Sequence, residues 1–314
     1  MKPSAPLPSL LQHAAIRRAD ARALGVSPKR LRGPDVHRPF RGVVTALPEL
    51  TLVDLCRAFL AVRPPGAFFS GATAAALHGV PLPRRACWEH SRRLDVSVPA
   101  PARAPRRHGI TGHSVRISLG DVTVKAGLPV STPERTWCEL GGALTVDELV
   151  VAGDWLIAEE RRLCDTTRLR AALHRSPARR GRPALTEAIG LVSARSESPQ
   201  ESLLRARLER SGVHGGRPNE PIRVSSGARY RGDLVYVEER LILEYQGDHH
   251  RDRGQYRRDL SRRLDLQADG WRVVELGPED LHDPGLSRRV RALLRQHRAP
   301  LGSVRAASAP EPTR

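Results

Sequence analysis

Hydrophobic and polar positions repeat with two different periods along the chain, and both periods occur in its last third. Segment 199–211 repeats apolar residues at helical spacing, whereas 229–237 and 241–245 carry the continuous apolar runs typical of strands buried on both faces. A helical pattern returns over 252–268. The pattern therefore predicts mixed α/β structure.

The helix over 252–268 has a predicted core face at Tyr256, Leu260 and Leu264, and Asp259 is spaced to pair with Arg262. Its other arginines either follow a phosphate backbone or form a solvated face. They are Arg251, Arg253, Arg257, Arg258 and Arg263.

Residues 10–48 predict a winged helix-turn-helix-like DNA-binding module. One helical pattern breaks at Gly25, and Ser27 as N-cap with Pro28 at N1 starts a second helix, which a β-segment follows. An ordinary helical hairpin with solvated arginines is the equal alternative. In the winged-helix interpretation, three basic residues face DNA. They are Lys29, Arg30 and Arg32.

Residues 49–173 predict an α/β domain. Ser70 opens an Ala-rich helix that ends at Gly79, Thr132 opens another, and 94–98 alternates as a strand does. Four histidines lack ligand-like spacing and are expected in loops and at the surface. They are His78, His90, His108 and His113.

Two segments are expected to carry little structure. Residues 174–195 are basic and rich in helix breakers, which predicts a linker before a domain over 196–298. Residues 299–314, rich in Pro, Ala and Ser, predict a disordered tail.

The composition of the chain indicates which class of partner it binds. The chain of 314 residues has a net charge of +18, which favours a nucleic acid through phosphate neutralisation. Only three of the 52 Lys and Arg residues are lysines, so part of the charge reflects the use of arginine at any position that tolerates a cation.

Four well-separated cysteines without a CxxC pair indicate neither a zinc site nor a disulfide framework. No window approaches the ~18 apolar residues of a membrane helix, so we expect a soluble, cytoplasmic protein.

The two apolar strands predict a hairpin that brings two acids together. If residues 238 and 239 form the turn, the register pairs Val235 with Ile242. The same register places Asp233 opposite Glu244, with Cβ atoms ~4.5–5.5 Å apart, where like charges repel unless a cation lies between them. The pair thus indicates a metal site. The alternatives are two solvated acids, or a longer turn that shifts the register.

Three residues extend the predicted site. Glu201 lies on the apolar face of its helix and either points inward as a third acid or completes a capping box with Ser198. Gln246 shares the strand face of Glu244, and Gly247 lets the chain turn toward His250.

The spacing of Asp233 and Glu244-Tyr245-Gln246 resembles the PD-(D/E)XK pattern. The string Glu244-Tyr245-Gln246-Gly247-Asp248-His249-His250 is similar to uncharacterised endonuclease-like domains related to very-short-patch repair (Vsr) endonuclease, and Gly270-Trp271-Arg272-Val273-Val274 extends the match over nearly all of 201–281.

This resemblance implies a restriction-endonuclease-like α/β domain that uses Mg²⁺ or Mn²⁺. It assigns Asp233 and Glu244 as metal acids, Glu201 as an accessory acid and His250 as proton carrier. Gln246 stands where the family has Lys, and an amide cannot take a proton at neutral pH, so His250 is the substitute base.

The first half resembles the AbiEi-type antitoxin family, which combines a winged helix with an α/β domain. This implies binding to DNA or to a partner such as a toxin rather than chemistry. The matching stretches are Ser27-Pro28-Lys29-Arg30-Leu31-Arg32, Arg41-Gly42-Val43, Ala74-Ala75-Ala76-Leu77-His78-Gly79, Pro81-Leu82-Pro83, Gly127-Leu128-Pro129-Val130 and Arg135-Thr136.

Two functions therefore compete. The leading one is a Mg²⁺-dependent DNA endonuclease or nickase. The other is a DNA-binding regulator of antitoxin type whose nuclease-like domain is inactive. A third possible function is a structural protein–protein module, which neither the basic charge nor the acid pair supports.

Overall fold

A computed structural model describes residues 6–176, 180–247 and 253–298, without the side chains of 253–259 and 297–298. The chain is a mixed α/β protein that divides into two compact units, Met1–Ala194 and Arg195–Arg314. No helix in the described ranges is long and apolar enough to cross a membrane.

The described part of the first unit contains nine helices and seven strands. In chain order they are α1 (Ser9–His13), β1 (Ile16–Arg17), α2 (Arg18–Ala23), β2 (Val43–Val44), α3 (Leu52–Leu60), β3 (Phe68–Phe69), α4 (Gly71–His78), α5 (Trp88–Ser91), β4 (Leu94–Pro99), β5 (Ile110–Val115), β6 (Val122–Lys125), β7 (Leu128–Ser131), α6 (Pro133–Leu140), α7 (Val146–Ile157), α8 (Thr166–Arg175) and α9 (Arg182–Ala188).

The N-terminal module differs from the predicted helix-turn-helix at its second helix. Ser27 accepts a hydrogen bond from the Arg30 amide as expected, but the segment forms only a 3₁₀ turn over Arg30–Arg32. Pro34 explains the early end, since proline cannot continue the helical hydrogen bonds and disfavours helical backbone at the preceding Gly33. The two-stranded β1–β2 pair follows, antiparallel.

A five-stranded sheet in the order β5-β4-β3-β7-β6 forms the centre of the first unit. The predicted helices and strand of this region are confirmed: α4 follows Ser70 and ends at Gly79, whose φ of 76° is left-handed, and α6 begins at Pro133. His78 corrects an expectation. It is buried in α4, with its Nε2 2.8 Å from the Ser131 carbonyl oxygen, because the helix packs on the sheet.

The segment predicted as a linker over 174–195 is structured where it is described. It contains α9, and Leu185 and Ala188 of this helix are buried. A Cβ on Gly141 would lie 2.5 Å from a methyl carbon of Leu185, so the helix sits directly against the end of α6. The prolines and glycines delimit the helix rather than a flexible connection, since Pro183 occupies its first turn.

The second unit is built around a four-stranded sheet in the order β11-β10-β9-β8, with β10 and β11 parallel and the other pairs antiparallel. Its described elements are α10 (Pro199–Arg210), β8 (Arg217–Arg223), β9 (Arg229–Tyr236), β10 (Leu241–Tyr245), α11 (Arg253–Ala268), β11 (Arg272–Leu276), α12 (Pro278–His282) and α13 (Leu286–Arg298).

Helices cover both faces of this sheet. On one face Leu241 and Leu243 pack with residues of α10, α12 and α13, and on the other Ile242 packs with Leu266 of α11. The core stripe predicted for α11 is wrong at Leu260 and Leu264, which are 49% and 60% exposed while Leu266 is fully buried. The side chain of its third member, Tyr256, lies outside the described residues. The strands are buried on both faces, as their apolar runs predict.

Candidate active site

The predicted hairpin register is confirmed. Leu241 pairs with Tyr236, Ile242 with Val235 and Leu243 with Leu234. One further step of the same register would place Asp233 opposite Glu244, but the paired residues end at Leu234 and Leu243. The turn comprises residues 237–240, closed by a hydrogen bond from the Arg240 amide to the Val237 carbonyl at 3.2 Å.

Asp233 sits at an irregularity in β9. Tyr230 and Val235 pack in one cluster although residues five apart on a regular strand lie on opposite faces. Opposite Asp233, Asn219 on β8 has a left-handed φ of 49°. A Cβ on Gly232 would lie 2.5 Å from Ile242 Cγ2, so only glycine fits there. The strand thus departs from simple alternation at the predicted metal acid.

The Asp233 carboxylate turns toward the neighbouring strand. Its Oδ2 accepts a hydrogen bond from the Tyr245 amide at 2.8 Å, which takes the place of a backbone ladder bond. The pKa of Asp233 is raised to about 6, mainly by burial and also by the charges of Glu201 and Glu244, against opposing effects of the Tyr245 hydrogen bond and Arg262. The three predicted acids therefore interact electrostatically.

Glu201 forms only half of the capping box that its sequence allowed. Ser198 caps α10 and accepts from the Glu201 amide at 3.2 Å, but no reciprocal bond from the Ser198 amide to the Glu201 side chain completes the box among the described residues. The Glu201 carboxylate accepts from the Glu197 amide at 3.0 Å and from Asn219 Nδ2 at 2.8 Å. Asn219 lies opposite Asp233 on the sheet, so the capping acid also belongs to the site.

Glu244 is buried, and its carboxylate accepts a hydrogen bond from Arg262 of α11. The same guanidinium donates to the Arg231 carbonyl at 2.7 Å. Helical spacing predicts that Arg262 pairs with Asp259, whose side chain lies outside the described residues; Arg262 itself contacts the sheet. For Arg262, the buried carboxylate of Glu244 is a stronger partner than an acid on the exposed surface of the helix. A buried charge without a countercharge costs free energy.

Glu275 is a further acid that the sequence analysis missed. It is the partner of Glu244 in the parallel β10–β11 ladder. It accepts from Gln246 Nε2 at 3.3 Å and forms an ion pair with Arg263. Val273 and Glu275 are two residues apart, which indicated that they share one face of a strand. This spacing did not indicate which strand lies beside theirs.

The acids do not form a ready metal cage. Over the described residues, no group of three or more His, Cys, Asp or Glu side chains is arranged to hold a metal ion. His250, the predicted proton carrier, and Arg251, a predicted DNA contact, lie outside the described residues, and for Arg257 and Arg258 only the backbone helix is described.

The predicted DNA contacts of the first unit separate into two kinds. Lys29 and Arg32 are exposed. Arg30 is only 12% exposed and forms two hydrogen bonds with Asp35, at 2.8 and 2.5 Å. The Arg30 guanidinium therefore already pairs with a neighbouring acid, and its contact with DNA stays a prediction that would require this pair to open.

Comparison with known proteins gives a limited set of similarities. No family model matches the chain. It is 28% identical over 136 residues to two uncharacterized proteins of Mycobacterium tuberculosis, MT2308 of strain CDC 1551 and Rv2248 of strain H37Rv. The match covers 43% of this chain and 49% of each relative, so the chain spans about half the length of the curated relatives it matches.

One solved structure, that of the RV2827C protein from Mycobacterium tuberculosis, is 16% identical with a TM-score of 0.40, over 68% of this chain and 85% of the other.

Proposed function

We propose that this protein is a metal-dependent phosphodiesterase, a DNA endonuclease or nickase of the cytoplasm, whose second unit is a restriction-endonuclease-like domain of the PD-(D/E)XK class. The observation that supports it is the state of Asp233, a partly buried carboxylate whose pKa is raised to about 6 beside Glu201 and Glu244. Clustered acids in a sheet interior cost stability, and this kind of cost is found at functional sites.

The donor set suits Mg²⁺ or Mn²⁺. Magnesium takes carboxylate oxygens and typically binds through one or two carboxylates, with water and substrate phosphates as its other ligands. Asp233 and Glu244 would hold the ion, with Glu201 as accessory acid. The bound ion supplies Lewis-acid chemistry and activates water. Arg262 bonds to Oε1 of Glu244, so a bound ion would use the other carboxylate oxygen or displace this contact.

The remaining residues have distinct roles in this proposal. Gln246, whose amide donates to Glu275, would orient a water or a phosphate oxygen but cannot accept its proton. His250, with an ordinary pKa of ~6.5, would carry the proton. Lys29 and Arg32 of the first unit, with Arg251, Arg257 and Arg258 of the second, would contact DNA phosphates.

Incubation of the purified protein with supercoiled plasmid, in Mg²⁺, Mn²⁺ or EDTA, tests the activity. We expect nicking or linearisation only with metal, and none for Asp233→Ala. His250→Ala should slow cleavage ~10²- to 10⁴-fold while DNA binding persists, and Gln246→Ala should cost less. Glu238→Gln is the matched control, since Glu238 lies on the hairpin turn with its side chain 66% exposed.

The Arg262–Glu244 ion pair favours a second candidate. An arginine that neutralises the buried acid makes a metal unnecessary for stability, and Gln246 in place of Lys removes the usual base. The protein would then be a DNA-binding regulator of antitoxin type. Tight binding to duplex DNA, with no metal-dependent cleavage of any DNA or RNA by the wild type, would establish this alternative over the nuclease.

A further inference from the structure

A basic cleft of about 760 Å³ opens in the first unit, and none of its lining residues has been assigned a role above. Two chain segments form it, 38–42 and 106–108. Its charged lining consists of arginines and one histidine, with no acid among the described lining residues. The lining is Arg38, Pro39, Phe40, Arg41, Gly42, Arg106, Arg107 and His108.

Segment 38–42 is held in place by the buried ring of Phe40. Phe40 is 5% exposed and packs edge-on against Phe59, with ring centroids 5.6 Å apart. Gly42 follows with a left-handed φ of 90°, and its carbonyl accepts from the Arg18 amide at 2.7 Å. The loop therefore has a defined course, and Arg38 and Arg41 project from a rigid base.

The second segment is equally constrained. Pro105 is buried against β5, directly over Gly112, where any Cβ would collide with the proline backbone. Gly109 closes the segment with a left-handed φ of 75° and lies against the Phe40 ring. Arg107 donates to the Arg41 carbonyl at 3.5 Å, which joins the two segments.

The four arginines differ in what they already bind. Arg38 donates to the Leu31 carbonyl at 2.5 Å, and Arg107 bridges the segments. The Arg41 and Arg106 side chains are exposed and form no hydrogen bond or ion pair with another described residue. Like charges held this close by a rigid base repel one another, and an anion at the cleft would relieve the repulsion.

We infer that this cleft binds phosphate groups of a duplex DNA backbone. Guanidinium groups bind phosphate oxygens through paired hydrogen bonds, and repeated phosphates match several arginines at once. The site belongs to the first unit and does not depend on whether the second unit is catalytic.

The test uses the full chain with Arg41→Gln and Arg106→Gln combined, because neither side chain supports the fold. Binding of a labelled duplex is measured by anisotropy over a range of salt concentrations in EDTA, so that loss of cleavage cannot be mistaken for loss of binding. Each phosphate contact contributes about 0.9 to the slope of log K against log salt, so the slope should fall by about two, with affinity at least about tenfold lower near 0.1 M salt.

Arg57→Gln with Arg84→Gln is the charge-matched control. Both arginines are exposed in the first unit, outside the cleft, and should leave the slope near the wild-type value. Equal losses in the two double variants would mean that net charge alone binds DNA, and would overturn the inference.

A second arm measures thermal stabilisation by inorganic phosphate. Stabilisation that disappears in the cleft variant, together with unchanged DNA binding, would mean that the cleft takes a free anion, which also overturns the assignment to a DNA backbone.

Discussion

The Arg262 guanidinium donates to the buried Glu244 carboxylate and so ties α11 to the strand that carries the proposed metal acid. Arg262 also contacts the backbone of β9 through the Arg231 carbonyl. One side chain therefore stabilises the sheet and competes with any cation for Glu244. The balance between these two effects can be measured.

Arg262→Met should destabilise the second unit strongly in EDTA. Removing one partner of a buried ion pair leaves the other charge uncompensated, at a cost of ~3–5 kcal/mol. If Glu244 is a metal ligand, Mg²⁺ should restore part of this loss. Urea unfolding with EDTA and with Mg²⁺ measures both quantities.

Arg263→Met is the control for this experiment. Arg263 pairs with Glu275, and both side chains are more than a third exposed, so its loss should cost only ~0–1 kcal/mol. Equal stability of Arg262→Met in EDTA and Mg²⁺ would argue for a purely structural ion pair.

Asp233→Asn should be more stable than the wild type at pH 8. The pKa of Asp233 in the folded protein is about 6, above its ordinary value of 3.8, so ionisation costs stability as pH rises through this interval. Asn keeps the acceptor for the Tyr245 amide but never ionises. At about 1.4 kcal/mol per pKa unit, the gain should be ~1–3 kcal/mol at pH 8 and vanish below about pH 4.

Thermal unfolding from pH 3.5 to 8 checks this prediction, with Mg²⁺ expected to stabilise the wild type alone. A constant difference across the whole range would show that the carboxylate has no raised pKa.

Gly232→Ala should destabilise the second unit by ~1–3 kcal/mol, because its Cβ would lie 2.5 Å from Ile242 Cγ2 and 2.9 Å from Val235 Cγ2. Gly142→Ala is the control, since its Cβ would meet only the Arg180 side chain at 3.7 Å. Chemical denaturation distinguishes the two. A neutral Gly232→Ala would mean that β9 is regular at this point.

The hairpin shows what local sequence can determine. Its register follows from a short turn between two apolar strands, so the pairing of Val235 with Ile242 was predictable. The partners of Glu244 were not. Arg262 reaches it only because α11 packs across the sheet, and Glu275 lies beside it only because β11 adds parallel to β10. Both contacts depend on tertiary arrangement, which spacing along the chain does not encode.

The same distinction explains the N-terminal module. Ser27 and Pro28 are a sound helix start, and the predicted cap hydrogen bond is present. The helix is nevertheless only one turn long, because Pro34 follows and Arg30 turns to Asp35. A local start signal thus does not determine how far a helix continues.

Arg30→Gln should affect stability more than DNA binding, whereas Lys29→Gln with Arg32→Gln should do the reverse. The Arg30 side chain is 12% exposed and paired with Asp35, which raises the pKa of Arg30 and lowers that of Asp35. Because the Asp35 side chain is 50% exposed, the pair should contribute no more than ~1 kcal/mol.

Lys29 and Arg32 are exposed, so each phosphate contact that they make should add about 0.9 to the salt slope of DNA binding. Duplex binding at several salt concentrations, with thermal unfolding of the same variants, separates the two effects. A reduced salt slope for Arg30→Gln, with a normal slope for Lys29→Gln and Arg32→Gln, would mean that the Arg30–Asp35 pair opens on DNA and that the module presents a different face.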